Sequence, residues 1–114
     1  KRYEYMYTKG DLLNYFGFLN KKKITHSPQY ESGCIFLKKN KFTLKLLDEW
    51  ANVYRNDFSL ADDSKSKLNN LSGFIENRHD QSIFSLICKK KRFIVYPHQN
   101  VNGLNLKIKE HGNI

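Results

Sequence analysis

The sequence predicts a small α/β domain in which about three helices pack on a small mixed sheet. An apolar run at residues 33–37 is bounded by polar residues and is too short for a helix, which is typical of a strand buried on both faces. After Asn40 the apolar residues recur at spacings of three and four, which indicates an amphipathic helix. Hydrophobic residues make up 39% of the 114 residues, so a disordered chain is excluded and a single domain over residues 1–114 is expected.

The first part of the chain predicts a strand, a helix and a second strand. The alternation of Tyr3, Tyr5 and Tyr7 indicates a strand. Thr8 is a suitable N-cap for the helix that follows, and Gly17 is suited to end it. Residues 18–30 are polar and rich in lysine, so they form a surface connection to the buried strand at 33–37.

The remaining elements are predicted from changes in the spacing of the apolar residues along the chain. Residues 41–56 are predicted to be a helix, because they carry one apolar stripe made of Phe42, Leu46, Leu47, Trp50, Val53 and Tyr54. Residues 57–77 have no sustained period and predict a long loop, which in a compact domain is usually functional or mobile. A third helix enters through His79 and Asp80 and ends at a basic run. Residues 93–96 predict a short strand stopped by Pro97.

The net charge indicates the kind of partner, and the cysteines indicate the compartment. The formal net charge is +9, which favours phosphates, acidic glycolipids and anionic membrane surfaces as partners. The lysine runs fall where loops or element ends are expected, and solvated ends are their simplest interpretation. Cys34 and Cys88 lie in apolar stretches without metal-ligand spacing, so we expect buried free thiols in a reducing compartment and no structural zinc site.

Two short groups of residues are suited to chemistry. Glu31, Ser32 and Gly33 precede the buried strand, where glycine permits a ligand to approach the backbone closely. Residues 77–82 combine Arg, His, Asp, Gln and Ser at a helix start. Asp80 is explained equally well as a simple helix cap. The mixture of donors and acceptors around it exceeds what a cap requires and suits sugar hydroxyls.

These two groups carry a resemblance to a known class of enzyme. Residues 29–39, the helix with Trp50, Asp62-Asp63-Ser64 and residues 78–86 resemble bacterial and viral nucleotide-diphospho-sugar transferases, over roughly residues 7–96. The glycine-entered strand and the Asp-Gln helix start are similar to glycogenin-like and lipooligosaccharide galactosyltransferase-like enzymes. The resemblance implies a partial GT-A-like fold, namely the C-terminal, acceptor-side part of a catalytic domain. The nucleotide-binding half would precede Lys1, so the chain alone is expected to be inactive.

The resemblance also implies the site residues and the cofactor. Asp80 and Gln81 would be the catalytic pair beside the reacting sugar, and the substrate-binding residues would be Glu31, Ser32, Gly33, Arg78 and His79. A divalent cation, usually manganese, would act as Lewis acid. No Asp-x-Asp motif occurs in the sequence, so this cation would be bound mainly by the missing N-terminal half. His98 or His111 is a candidate further ligand.

The implied activity is transfer of a sugar from a nucleotide-sugar donor to a saccharide or glycolipid acceptor, in surface polysaccharide or glycolipid synthesis. A cytoplasmic enzyme that associates peripherally with the anionic inner membrane face would use the positive charge, and exposed apolar edges would permit self-association. One alternative is a small basic nucleic-acid-binding module. It is disfavoured because the aromatic residues fall mainly on apolar stripes. Another is a non-catalytic interaction domain in which Asp80 only caps a helix.

Overall fold

The computed structural model describes residues 1–93 and 95 and shows a helical domain. Its helices are α1 (Glu4–Tyr7), α2 (Gly10–Tyr15), α3 (Lys22–Thr25), α4 (Lys41–Asn56) and α5 (Asp80–Lys91), and a 3-10 turn occupies Phe58–Leu60. Among the described residues, β-type pairing is confined to one antiparallel bridge between Tyr3 and Pro28. The predicted α/β fold class, with three helices on a mixed GT-A-like sheet, is therefore wrong.

Helix α5 lies at the centre of the domain. Residues 82–88 are all buried, which is expected only for a helix covered on every side. Helix α4 packs against it, with Val53 buried and the ring of Trp50 centred 5.0 Å from that of Phe84. The core also contains Leu12, Leu13, Phe18, Leu46, Leu60 and Ala61.

The helix predicted at residues 41–56 is confirmed with the same bounds. It begins with a capping box: Asn40 Oδ1 accepts from the Thr43 amide at 3.0 Å, and Thr43 Oγ1 accepts from the Asn40 amide at 3.1 Å. The end of α2 at Gly17 is also confirmed. Gly17 has φ of 73°, and the Phe18 amide donates to the Leu13 carbonyl at 2.8 Å, so α2 ends in a Schellman motif.

The strand predicted from the alternating tyrosines is wrong, because Glu4–Tyr7 is one turn of helix. Glu4 is fully buried, and its carboxylate accepts a hydrogen bond from Thr8 Oγ1 at 3.0 Å. This contact spans four residues, which a helical turn brings together and a strand would separate. Thr8 is therefore not the N-cap of α2; Lys9 occupies that position without a side-chain cap hydrogen bond.

The strand predicted at residues 33–37 is wrong as well. The preceding segment is held by side chains of α5: the Tyr30 amide donates to Ser85 Oγ at 2.8 Å, and the Ser32 amide donates to Gln81 Oε1 at 3.3 Å. Phe36 and Leu37 are each 40% exposed, so the apolar run is not buried on both faces.

The outcome for the two cysteines is mixed. Both are free thiols as predicted, but Cys34 is exposed and only Cys88 is buried. Two of the four residues of the strand predicted at 93–96, residues 94 and 96, lie outside the described part of the chain. Its first residue, Phe93, donates its amide to the Cys88 carbonyl at 3.0 Å and so belongs to the end of α5.

The long connection between α4 and α5 is fixed to the start of α2. The Lys9 side chain is 3% exposed, and its Nζ donates to the carbonyls of Ser59 at 2.6 Å and Ser64 at 2.7 Å. The Asp11 carboxylate accepts from the amides of Lys67 at 2.7 Å and Leu68 at 2.9 Å. Burial opposes ionisation of Asp11, yet these hydrogen bonds hold its pKa below the usual value. The connection also brings Asp63 to the start of α5, where its Oδ1 contacts the His79 ring.

Candidate functional site

An open groove of about 650 Å³ lies at the N-terminal end of α5. Two segments distant in sequence form it, and its lining residues are Ser32, Gly33, Glu76, Arg78, His79, Asp80 and Gln81. Six of the seven residues predicted from sequence are thus brought together. Glu31 is exposed and does not line the groove, whereas Glu76 does and was missed.

Asp80 is the first residue of α5 and is exposed to solvent. Its Oδ2 accepts a long hydrogen bond from Ser32 Oγ at 3.4 Å, across the groove. The N-cap position belongs to His79, which makes no side-chain cap hydrogen bond. A carboxylate at this end of a helix is favoured by the macrodipole, so the helix start is a suitable place for Asp80 on the groove. Burial, and then the nearby Asp80 carboxylate, raise the pKa of Tyr54 on α4.

His79 has a backbone conformation that L-residues rarely adopt, with φ of 54° and ψ of −121°. The Gln81 amide donates to the Arg78 carbonyl at 3.1 Å, which places His79 at the first central position of a tight turn usually occupied by glycine. Its ring Nε2 lies 2.5 Å from Asp63 Oδ1. Such strain costs about 1–3 kcal/mol and tends to cluster at functional sites.

Arg78 places a cation on the wall of the groove. Its guanidinium carbon lies 4.5 Å from the centre of the Tyr7 ring, and its Nε lies 3.7 Å from Glu76 Oε1. That Nε atom is buried and has no hydrogen-bond partner among the described residues. The guanidinium is thus held in place by ring stacking and by a carboxylate.

Gln81 connects the groove to the buried interior. Its Nε2 donates to Gln29 Oε1 at 2.8 Å, and Gln29 is 8% exposed. Gln29 in turn donates to the buried carboxylate of Glu4 at 3.0 Å. Sequence reasoning missed both Gln29 and Glu4 as contributors, since a single polar residue, whether in a polar stretch or between two tyrosines, gives no periodic signal of burial.

The described residues do not fit the predicted divalent cation. They contain no group of three or more His, Cys, Asp or Glu side chains placed to hold a metal ion. The Asp62 carboxylate instead stabilises a local turn, since its Oδ1 accepts a hydrogen bond from the Ser64 amide at 2.9 Å. His98 and His111 lie outside the described residues, and a cation bound mainly outside this chain stays a prediction.

The groove combines a carboxylate, an amide, a hydroxyl and a guanidinium in an open, polar setting, which suits a ligand rich in hydroxyl groups. No helix among the described residues is long and apolar enough to cross a bilayer. Comparison of the chain with protein-family models, curated proteins and solved structures finds no match.

Proposed function

We propose that the chain is the acceptor-side part of a glycosyltransferase that moves a sugar from a nucleotide-diphosphate sugar to a hydroxyl, in surface polysaccharide or glycolipid synthesis. One observation supports this most strongly: polar groups at residues 32–33 and 78–81 converge on one open groove. Sugar hydroxyls both donate and accept hydrogen bonds, so they are bound well by such a mixture. The nucleotide-binding part is proposed to come from a different segment, because no Asp-x-Asp motif occurs here.

In this proposal Asp80 is the main catalytic residue. Its exposed carboxylate accepts hydrogen bonds from the hydroxyls of the bound sugar and stabilises the positive charge that develops at the anomeric carbon. Gln81 lies beside it in the first turn of α5, and Arg78, which also lines the groove, binds further oxygen atoms of the sugar. The groove is open, so an acceptor hydroxyl can approach the sugar from solvent.

The proposed compartment is the cytoplasm, at the anionic face of the inner membrane. The free thiols of Cys34 and Cys88 support a reducing compartment. The net charge of +9 supports association with anionic lipid or with an anionic acceptor.

The test is calorimetric titration with simple saccharides, using wild type and Asp80→Asn. We expect Asp80→Asn to weaken saccharide affinity about tenfold or more, because a charge-assisted hydrogen bond contributes about 1.5–3 kcal/mol. Its melting temperature should stay close to that of wild type. Asp48→Asn is the matched control, since Asp48 is exposed on α4 and pairs only weakly with Arg55 at 3.7 Å. Equal affinities of wild type and Asp80→Asn would contradict the assignment.

A second candidate function is the binding of single-stranded nucleic acid, and exposed aromatic residues favour it. Phe42 is 61% exposed and Phe58 is 63% exposed, so the core packing expected of the apolar stripe is wrong for Phe42, and Phe58 is exposed in the segment predicted as a loop. The Lys41 Nζ lies 5.3 Å from the centre of the Phe42 ring, which pairs a stacking surface with a cation. Anisotropy of a labelled oligonucleotide tests this candidate: affinity should fall steeply with salt and should fall further in Phe42→Ala.

A further inference from the structure

The buried Glu4 carboxylate is the origin of a hydrogen-bond chain with a fixed direction. Glu4 is completely buried, and an ionised carboxylate can only accept. One oxygen accepts from Thr8 Oγ1 and from Gln29 Nε2, each at 3.0 Å. The other accepts from Ser85 Oγ at 2.5 Å and from Lys89 Nζ at 2.6 Å. The Lys89 side chain is only 7% exposed, so this ion pair lies inside the domain.

The surroundings of Gln29 permit only one orientation of its side-chain amide. The NH2 end lies among acceptors, namely the Glu4 carboxylate, the Tyr7 carbonyl at 3.2 Å and Thr8 Oγ1 at 3.0 Å. The Thr8 hydrogen is already donated to Glu4, so the hydroxyl can only accept from Gln29. A flipped amide would place its oxygen against a carboxylate and a carbonyl. Gln29 Oε1 must therefore face Gln81.

The orientation of Gln29 then fixes that of Gln81. Gln29 presents an oxygen at 2.8 Å, so Gln81 must present its Nε2, and its Oε1 is left to accept from the Ser32 amide at 3.3 Å. The Tyr30 amide is held in the same way by Ser85, four residues further along α5. Gln81 and Ser85 are four residues apart on the helix, which is a rise of about 6.0 Å, and Ser32 and Tyr30 are two residues apart in an extended chain, which spans about 6.6 Å. The two spacings match, so both amides can be bound at once.

We propose that Gln29 is a positioning residue: through the buried Glu4 carboxylate it sets the orientation of the Gln81 amide and thereby holds Ser32 and the groove wall against α5. Its consequence for sugar affinity rests on the proposed glycosyltransferase function. The orientation itself does not, since it follows from the hydrogen bonds alone.

The experiment is amide hydrogen exchange followed by NMR, together with saccharide titration of the same samples. Gln29→Met keeps a similar volume but removes the acceptor for Gln81. We expect the exchange rate of the Ser32 amide to rise about tenfold or more, while amides in the middle of α4 exchange as in wild type. Gln81→Met should raise the exchange rate of the Ser32 amide to the same extent. The double variant should raise it no more than either single variant, because both changes break the same hydrogen-bond chain. Asn14→Met, at an exposed position on α2, is the matched control and should leave Ser32 unchanged.

The possible outcomes distinguish the positioning role of Gln29 from the proposed glycosyltransferase function. Unchanged exchange at Ser32 in Gln29→Met, or independent additive effects in the double variant, would overturn the positioning role even if saccharides bind. Faster exchange at Ser32 in a protein that binds no saccharide would uphold the positioning role and refute the proposed function. If Gln29→Met does not fold, exchange of the Gln81 side-chain amide in wild type decides: the proton donated to Gln29 Oε1 should be protected, and equally fast exchange of both amide protons would overturn the role.

Discussion

Replacing His79 by glycine is expected to stabilise the protein, although it removes a side chain from the candidate site. The reason is the backbone of His79, whose φ of 54° and ψ of −121° suit glycine and strain other residues. His79→Ala also removes the imidazole but keeps the strain. The difference in stability between the glycine and alanine variants therefore measures the backbone strain at this position.

The magnitude follows from three contributions. Relief of the strain contributes about 1–3 kcal/mol to the free energy of unfolding. The greater freedom of glycine in the unfolded chain subtracts about 0.4–1 kcal/mol. Loss of the contact with Asp63 subtracts about 0–1 kcal/mol, because the two side chains are 50% and 86% exposed. The net gain for His79→Gly is about 1 kcal/mol, which corresponds to a rise in Tm of about 4–8 °C in a small domain.

Urea and thermal unfolding followed by circular dichroism measure both variants. His79→Gly should be more stable than His79→Ala by about 1 kcal/mol, whereas the usual order at an unstrained position is the reverse. If the alanine variant equals or exceeds the glycine variant, the turn is not strained and the argument that links this strain to the site fails.

Three further predictions concern the interior. Lys89→Met should lower the free energy of unfolding by about 3–5 kcal/mol, because it leaves the buried Glu4 carboxylate without its cation; urea denaturation measures this. Gly10→Ala should lower the free energy of unfolding by about 1–3 kcal/mol, again measured by urea denaturation, because the added Cβ would lie 2.6 Å from the Asn69 carbonyl oxygen. Burial raises the pKa of Cys88 to about 12 from 9.0, so the folded protein keeps a proton that the unfolded chain releases. The stability due to Cys88 is therefore complete below about pH 9, is lost progressively up to about pH 12, and should fall by about 1.4 kcal/mol between pH 8 and pH 10.

Each of these has a matched control. Adding Glu4→Gln to Lys89→Met should recover part of the stability, since it removes the uncompensated charge; no recovery would show that the ion pair is not the cause. Gly33→Ala should be nearly neutral for stability, because its added Cβ meets nothing within 4 Å, and equal losses at both glycines would refute the steric reason. Cys88→Ala should remove the thiol's share of the alkaline loss, and an unchanged pH profile would exclude the thiol as its source.

Helices were predictable where sequence pattern and packing agree. The stripe at 41–56 has the helical period, and Asn40 with Thr43 supplies a local start signal. The apolar run at 33–37 was not predictable in the same way, because its length fits a strand but says nothing about what covers it. The segment just before it, at residues 30–32, is bound by side chains of α5 some fifty residues away in sequence, and not by a neighbouring strand.

The candidate site was predictable in its residue types but not in its geometry. The mixture of Arg78, His79, Asp80 and Gln81 at a helix start stands out against the apolar turn that follows. The strained backbone of His79 could not be anticipated, since the turn depends on the long connection that ends there. The support from Gln29 needs the buried polar chain, which only the folded structure brings together.

The most direct test of the central claim is a titration of the 15N-labelled protein with saccharides, followed through its amide chemical shifts. The proposed function predicts that shifts concentrate at Ser32, at Gly33 and at residues 78–81, and that Asp80→Asn abolishes them at the same ligand concentration. Shifts that are absent at millimolar saccharide, or that appear only around the lysines and Phe42 at the start of α4, would contradict a sugar-binding groove.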